Sequence, residues 1–230
     1  MAHIHFIGGE KGGVGKSLVA RLLAQHFIDR GQSFAGFDTD RSHGALMRFY
    51  AGFAAPVSID RQESLDAVME AALAEPGRPV LVDLAAQTLE PLARWMEDAD
   101  VPALAAGAGV GITHWHVMDS GRDSVDLLGR VLDQFEARIG HVLVRNALRG
   151  DDFSLLERSG LAARAASLGA RELQIRRLPD GIAQRIDGAS SSFWAAQQGD
   201  GDTAALGLMD RQRLKTWRRD VTRQLESLGV

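Results

Sequence analysis

The amino-acid sequence predicts a three-layer α/β fold, in which a mostly parallel, twisted sheet is flanked by helices. Short apolar segments alternate with longer amphipathic segments, an order typical of parallel strands joined by helical crossovers. The segment Pro79–Leu84, PVLVDL, is apolar at all but one position, as expected of a strand that is buried on both faces. No repeat, long linker or low-complexity tail interrupts this order, so we expect a single domain over residues 1–230.

The predicted strands are short apolar segments that end at glycines or polar turn residues. In chain order they are His3–Ile7, Ser33–Phe37, Val57–Ile59, Pro79–Leu84, Val110–Met118, His141–Arg145 and Glu172–Leu178. The predicted helices carry apolar residues three and four positions apart. They are a helix from Ser17 to about Gly31, then Leu65–Leu73, Leu89–Met96, Val125–Phe135, the broken stretch Leu155–Leu168, Ile182–Ile186 and Ala204–Leu228. The glycine- and serine-rich segment Ser190–Gly201 is predicted to be a loop.

Composition excludes several kinds of site. The chain has 230 residues, of which 45% are hydrophobic and 24% are charged, as is typical of globular proteins. The absence of cysteine excludes disulfides, thiolate metal ligands, iron–sulfur clusters and cysteine nucleophiles. The net charge of −4 does not favour polyanion binding by the whole surface. The sequence has no apolar run of about 18 residues and no signal-peptide pattern, so we expect a cytoplasmic protein.

A glycine-rich segment follows the first predicted strand directly. It reads GGEKGGVGKS from Gly8 to Ser17, and a helical pattern follows it. Glycines allow successive backbone N–H groups to point at phosphate oxygens, and the start of the helix adds its positive end. Lys16 is then expected to reach the β- and γ-phosphates, and the Ser17 hydroxyl to bind Mg²⁺. The alternative, a glycine turn without a ligand, is disfavoured because seven specified positions lie between a strand and a helix.

The residues Lys11–Ser17, KGGVGKS, resemble the deviant Walker A loop of the MinD/ParA family of ATPases. The resemblance implies a P-loop NTPase fold with ATP and Mg²⁺ as cofactors. It also implies an ATP-dependent homodimer, in which Lys11 reaches the nucleotide of the partner subunit. The nucleotide would be held by the following loop residues: Gly12, Gly13, Val14, Gly15, Lys16, Ser17 and Leu18. Two of the three lysines of this arginine-rich chain, Lys11 and Lys16, lie in this loop.

Carboxylates after two predicted strands extend the resemblance. Asp38 and Asp40 form the D-x-D of the family, which implies that Asp40 orients the attacking water and that Asp38 lies near the Mg²⁺ shell. Asp83 matches the Walker B aspartate, which holds Mg²⁺ through water. Both strand ends are expected at the ligand-binding edge of the sheet. The alternative for Asp38 and Asp83 is turn formation or capping after a strand.

Two further segments resemble the adenine-binding parts of the family. Asn146 stands where these ATPases place a residue that hydrogen-bonds adenine, although it could instead cap the following turn. Leu178, Pro179 and Asp180 resemble the I-P-x loop, which passes beside the base. The likeness therefore covers most of the chain.

Three departures from the family pattern favour a divergent member. Leu18 replaces a second hydroxyl residue, and Arg41–Ser42 replace Pro-Gln after the D-x-D. The segment Leu84–Gln87, LAAQ, replaces the T-P-A-G that senses the γ-phosphate. At this level the chain is similar to ParA-like accessory proteins of plasmid stability and conjugation, the StbB and TraL type.

The predicted function is a slow ATPase switch that dimerises on ATP and positions or partitions a cargo, either plasmid DNA or a protein complex. The alternatives are a nucleotide-dependent interaction module with little hydrolysis and a maturation or ligase enzyme on the same fold. A stimulating or cargo protein is the expected partner.

Two other patterns have alternative interpretations. The apolar stripe of the last helix suits packing against the sheet, whereas its basic residues could bind DNA nonspecifically; membrane anchoring is not expected. His114 and His116 share one face of a strand, which allows a metal pair but more often indicates structural histidines.

Overall fold

Seven strands form one sheet in the computed structural model, which describes residues 2–40, 44–198 and 206–230. The strands are β1 (His3–Gly8), β2 (Ala35–Asp38), β3 (Ala54–Pro56), β4 (Pro79–Asp83), β5 (Gly111–Met118), β6 (Gly140–Asn146) and β7 (Arg171–Ile175). Their order is β3-β2-β4-β1-β5-β6-β7, and every pairing is parallel. The predicted α/β fold is therefore confirmed, with a sheet that is parallel throughout.

Alternation along the central strand β1 divides the interior into two layers. Ile4 and Phe6 belong to one buried cluster, whereas Ile7 belongs to the other. Successive side chains of a strand point to opposite faces of the sheet, so each face carries its own core. Helices cover both cores, which gives the predicted three layers.

Eleven α-helices are found in the described residues. They are α1 (Lys16–Asp29), α2 (Ala45–Phe49), α3 (Gln62–Ala74), α4 (Leu89–Asp98), α5 (Val101–Gly107), α6 (Arg122–Phe135), α7 (Ser154–Arg158), α8 (Leu161–Ser167), α9 (Asp180–Gly188), α10 (Phe193–Gln198) and α11 (Leu208–Ser227). Helices α1, α2, α9, α10 and α11 contribute to the core on one face, and α3 to α6 to the core on the other. Within the described ranges, no helix is long and apolar enough to cross a bilayer.

Several predicted boundaries are wrong. The strand predicted at Val57–Ile59 lies at Ala54–Pro56, because the ladder with β2 pairs Gly36 with Ala54. Val57 instead turns its side chain into the core below α3. The last strand ends at Ile175 rather than at Leu178.

Two helices were not predicted, and one predicted loop is partly helical. Helices α2 and α5 lie in segments where the sequence predicted neither strand nor helix. Within the predicted loop Ser190–Gly201, Phe193–Gln198 forms α10, because Phe193 and Ala196 are buried against the core of α1 and α11. Residues 199–205, which include the predicted helix start at Ala204, lie outside the described residues.

Candidate phosphate-binding site

The turn between β1 and α1 requires glycine at specific positions. Gly13 and Gly15 have φ values of 74° and 98°, in the left-handed region that disfavours other residues. A Cβ atom on Gly15 would lie 2.2 Å from the Asn146 amide nitrogen. Helix α1 begins directly after Gly15, and no side chain caps its N-terminus. Its first-turn N–H groups therefore suit an anionic ligand.

A cavity of about 420 Å³ opens in front of this turn, at the carboxyl ends of β1, β2 and β4. It brings together most of the residues that the sequence predicts to bind phosphate, metal and water. Its walls are formed by Gly12, Gly13, Gly15, Lys16, Ser17, Leu18, Asp40, Asp83, Leu84, Ala85, Ala86 and Leu148. Val14 is fully buried beneath the loop.

Lys16 is the cation of this cavity wall. Only 8% of its surface is exposed, and its Nζ donates a hydrogen bond to the Lys11 carbonyl at 3.0 Å. Burial lowers the pKa of Lys16, while the carboxylates of Asp83 and Glu10 oppose that shift. The ammonium is thus held by the loop in a largely buried position, where it can attract a phosphate.

Asp83 lies deep in the cavity and fits a metal site. Burial, followed by the charge of Asp38, raises the pKa of Asp83 to about 7, although a hydrogen bond with Ser17 opposes the shift. Its Oδ1 is buried and has no hydrogen-bond partner. Such an oxygen next to a serine hydroxyl is the kind of ligand that Mg²⁺ uses together with phosphate oxygens. Asp83 and Ser17 therefore fit the predicted metal role.

This raised pKa has a consequence for stability. Between the ordinary pKa of 3.8 and about 7, the folded state holds a proton that the unfolded state has lost. The free energy of unfolding therefore falls as pH rises through this range. We expect Asp83→Asn to stabilise the metal-free protein at pH 8, by about 2–4 kcal/mol, and much less at pH 5. Urea unfolding with a chelator, with exposed Asp60→Asn as control, checks this; an equal change at both pH values contradicts it.

Asp38 and Asp40 are placed differently at the end of β2. Asp38 is buried, and its two oxygens accept the backbone N–H groups of Asp40 and Leu46, each at 3.0 Å. The turn and capping role considered for Asp38 is thus present in the structure, while its place near a metal stays a prediction. Asp40 lines the cavity itself. Arg41 and Ser42, the departure after the D-x-D, lie outside the described residues.

The segment after Asp83 faces the cavity and is held from both ends. The Thr39 hydroxyl accepts the Ala85 N–H at 2.7 Å and donates to the Asp83 carbonyl at 3.2 Å. At the other end, Glu10 accepts the N–H groups that begin α4. Neither Thr39 nor Glu10 has a role in the motifs that the sequence predicts. An acidic residue inside a phosphate loop was the signal that could have drawn attention to Glu10.

Lys11 points away from the cavity, towards the end of β5. Its Nζ lies 3.3 Å from Asp119 and 3.7 Å from Asp123. Asp119 is buried and also accepts the Ser124 hydroxyl at 2.7 Å and the Gly121 N–H at 3.1 Å. Burial alone would raise the pKa of Asp119, but these hydrogen bonds and Lys11 hold it below its ordinary value.

Asp119 contacts the phosphate loop, although no motif in the sequence predicts a role for it. Like Asp38 and Asp83, it stands at the end of an apolar strand, which was an available signal. Arg149 also approaches it, with 3.6 Å between Nη1 and Oδ2. Asp119 therefore forms ion pairs both with Lys11 of the phosphate loop and with Arg149, which follows β6.

Asn146 lies beneath the phosphate loop. It is buried, and its amide donates to the Val14 carbonyl at 2.8 Å. Its predicted contact with adenine stays a prediction. Pro179 precedes α9, and Asp180, the first residue of that helix, forms an ion pair with Arg177 at 2.6 Å.

A second cavity of about 340 Å³ adjoins the first along α1. The two cavities share Gly15, Ser17, Leu18 and Leu148. The second has apolar side chains from three other helices and from the segment before α9: Phe49, Leu178, Ala183, Ile186 and Phe193. The charged side chains of Arg21, Arg48 and Asp187 also line it. Apolar walls beside a phosphate cavity suit a flat ring such as a nucleobase.

The paired histidines of β5 are buried structural residues. Burial lowers the pKa of His114 well below its ordinary value and that of His116 to about 4, so both are neutral. The His116 ring contacts the Ser124 carbonyl at 3.2 Å. Among the described residues there is no cluster of three or more histidines or carboxylates that could hold a metal ion.

Acidic neighbours partly neutralise the basic surface of α11. Arg213 and Arg223 pair with Asp210 and Asp220 on the same helix. The helix buries the predicted apolar stripe, formed by Leu214, Trp217, Val221, Leu225 and the adjoining Leu228. DNA binding by this helix stays a prediction.

Comparisons with known proteins found full-length relatives. No family model matches the chain. It is 28% identical to Protein TraL of Escherichia coli over an alignment of 246 positions, which covers 100% of each chain. It is 25% identical to Protein MobD of Acidithiobacillus ferrooxidans over 229 residues, which cover 98% of this chain and 97% of MobD. The predicted likeness to TraL is therefore confirmed as a distant similarity, and the MinD/ParA family stays a prediction.

Among solved structures, the chain is similar to a nucleotide-binding protein in complex with ADP from Archaeoglobus fulgidus. The TM-score is 0.45 at 18% sequence identity, and the match covers 77% of this chain and 82% of the other.

Proposed function

We propose that this chain is a switch ATPase of the MinD/ParA type, which binds ATP with Mg²⁺, hydrolyses it slowly and dimerises in the ATP state. The observation that carries the proposal is the convergence of Lys16, Ser17, Asp40 and Asp83 in one cavity before the uncapped N-terminus of α1. Phosphoryl transfer depends mainly on positioning and on neutralising charge, and these side chains provide both.

Each of these residues has a distinct task in the proposal. The glycine loop and the first turn of α1 hold the phosphate oxygens, and Lys16 offsets their charge. Ser17 and Asp83 would hold Mg²⁺, which supplies further charge neutralisation when it is bound. Asp40 lines the cavity and orients a water for attack on the γ-phosphate.

The Asp40→Ala variant tests hydrolysis separately from binding. Because Asp40 orients water and does not hold the phosphates, ATP affinity should stay within about threefold of the wild type, whereas the hydrolysis rate should fall by about 100-fold. Calorimetry and phosphate release measure the two quantities. The matched control is Asp60→Ala on the exposed surface. An unchanged hydrolysis rate in Asp40→Ala would show that another group orients the water.

The same variant tests dimerisation. If ATP drives association, Asp40→Ala should accumulate as an ATP-bound dimer in light scattering, since it binds ATP without turning it over. A wild type and a variant that both stay monomeric with ATP would overturn the switch proposal.

Similarity to TraL and MobD supports a role shared with those proteins, and we propose plasmid DNA or a protein complex as the cargo.

One observation favours a second candidate, an interaction module with little hydrolysis. Leu84, Ala85 and Ala86 line the cavity in place of the usual sensor residues, and Gln87, which follows them, has a φ of 62°. In that case ATP would still drive dimerisation, but phosphate release by the wild type would stay at the level of Asp40→Ala. For the maturation or ligase alternative, no feature of the described residues adds support.

A further inference from the structure

Glu10 connects the phosphate loop to a helix on the opposite face of the sheet from α1. It directly precedes Lys11, and its side chain is partly buried. Its Oε1 accepts two backbone hydrogen bonds, from Thr88 N at 3.0 Å and from Leu89 N at 2.9 Å. These are the N-cap and the first residue of α4. Hydrogen bonds to a carboxylate at a helix N-terminus are among the stronger ones, because charge and helix dipole act together.

The segment between Asp83 and α4 is thereby fixed at two points. Thr39 holds its beginning through Ala85 N at 2.7 Å, and Glu10 holds its end. Between these points, Ala85 and Ala86 line the phosphate cavity. Thr88 does not provide this cap with its own side chain, since its hydroxyl donates backwards to the Ala85 carbonyl at 3.0 Å. The orientation of the segment therefore depends on a residue of the phosphate loop.

Charged groups around Glu10 make its carboxylate sensitive to the charge in the cavity. Burial raises the pKa of Glu10, while the two backbone hydrogen bonds oppose this rise, as do the charges of Lys16 and Arg130. A phosphate bound beside Lys16 would offset part of the positive charge that stabilises the Glu10 carboxylate. Phosphate bound beside Lys16 would therefore change the charges around Glu10, while the two hydrogen bonds to α4 come from the backbone geometry.

We propose that Glu10 is a positioning residue, which sets the segment Leu84–Gln87 against the γ-phosphate and links its position to that of the phosphate loop. The proposal rests on the proposed function, because it gives this segment its task in ATP hydrolysis. It also explains how a chain without the usual sensor sequence holds the segment in place. The alternative is that Glu10 only caps α4, in which case it would stabilise that helix without affecting the rate of ATP hydrolysis.

The experiment compares Glu10→Ala with Glu10→Gln, whose amide oxygen can accept the same two hydrogen bonds. Glu70→Ala, an exposed change on α3, is the control. In Glu10→Ala, ATP affinity should stay within about threefold, while kcat should fall by about tenfold, as expected from the loss of two charge-assisted hydrogen bonds. Hydrogen exchange of the peptide 84–92 should become faster in the ATP state. Glu10→Gln should recover most of kcat and of the exchange protection.

Three outcomes would overturn the role of Glu10. They are a kcat of Glu10→Ala within twofold of the wild type, equal losses in Ala and Gln variants, or a loss that follows thermal stability alone. Failure of the proposed function looks different, because the wild type itself would then neither bind nor hydrolyse ATP. A wild type that hydrolyses ATP alongside an equally active Glu10→Ala would overturn only the inference about Glu10.

Discussion

Replacing Lys16 with alanine is expected to weaken ATP binding by about 100-fold or more, which corresponds to about 2.7 kcal/mol. The ammonium of Lys16 lies in the cavity wall and is largely shielded from water. A charged hydrogen bond to phosphate in such a place contributes about 1.5–3 kcal/mol. The carboxylates of Asp40 and Asp83 would then face the triphosphate without this cation. Calorimetric titration with ATP and Mg²⁺ measures the change.

The chain offers a matched control for this experiment. Lys215 is exposed on α11, so Lys215→Ala should leave ATP affinity unchanged. Lys16→Arg should also bind poorly, because Nζ fits against the Lys11 carbonyl at 3.0 Å and a planar guanidinium is larger. Unchanged affinity in Lys16→Ala would mean that the cavity does not hold the phosphates, and the proposed function would fail with it.

Local patterns made the centre of the sheet predictable. Strands β1 and β4 are buried on both faces, so most of their residues are apolar and their limits are clear. The edge strand β3 has three residues, Ala54–Pro56, and little burial. Pairing with β2 determines its position, and this pairing leaves no periodic signal in the sequence. The short helices α2 and α5 escaped prediction for a similar reason.

The parts of the candidate site that lie within one continuous segment could be predicted from the sequence. The glycine loop and the strand that ends at Asp83 are contiguous segments of the sequence, and the structure places residues of both in one cavity. The roles of Glu10 and Asp119 depend instead on contacts with residues that are distant in sequence. Glu10 meets Thr88, and Lys11 meets Asp119, only because β4 and β5 flank β1. Strand order therefore decides these contacts, and no local motif encodes it.

Asn146 shows the limit of transferring a role by resemblance. Its position at the end of β6 matches the resemblance, but its amide donates to the Val14 carbonyl. A Cβ on Gly15 would collide with it. Asn146 thus supports the shape of the phosphate loop, and this contact adds a structural reason for an asparagine here. The resemblance pointed to Asn146, but it did not predict the hydrogen bond between this residue and Val14.

A second large effect is expected at Lys11, whose proposed task requires it to move. In the structure its ammonium is held within its own chain by Asp119 and Asp123. If Lys11 reaches the nucleotide of a partner subunit, Lys11→Ala should bind ATP with near wild-type affinity but lose the ATP-dependent dimer. Hydrolysis should fall by about 100-fold, because a cation close to the reacting phosphate is missing. Light scattering and phosphate release measure these effects.

Replacing Asp119 and Asp123 one at a time tests whether Lys11 must leave its ion pairs when the dimer forms. Asp119 is 3% exposed and Asp123 is 76% exposed, so the buried pair should hold Lys11 more strongly. Asp119→Asn should release Lys11 and strengthen the ATP-dependent dimer by about tenfold, equivalent to about 1.4 kcal/mol. Asp123→Asn should have little effect. If Asp119→Asn instead weakens the dimer, Asp119 does not compete with the partner subunit; it orients Lys11 for that subunit, and the ion pair seen here persists in the dimer.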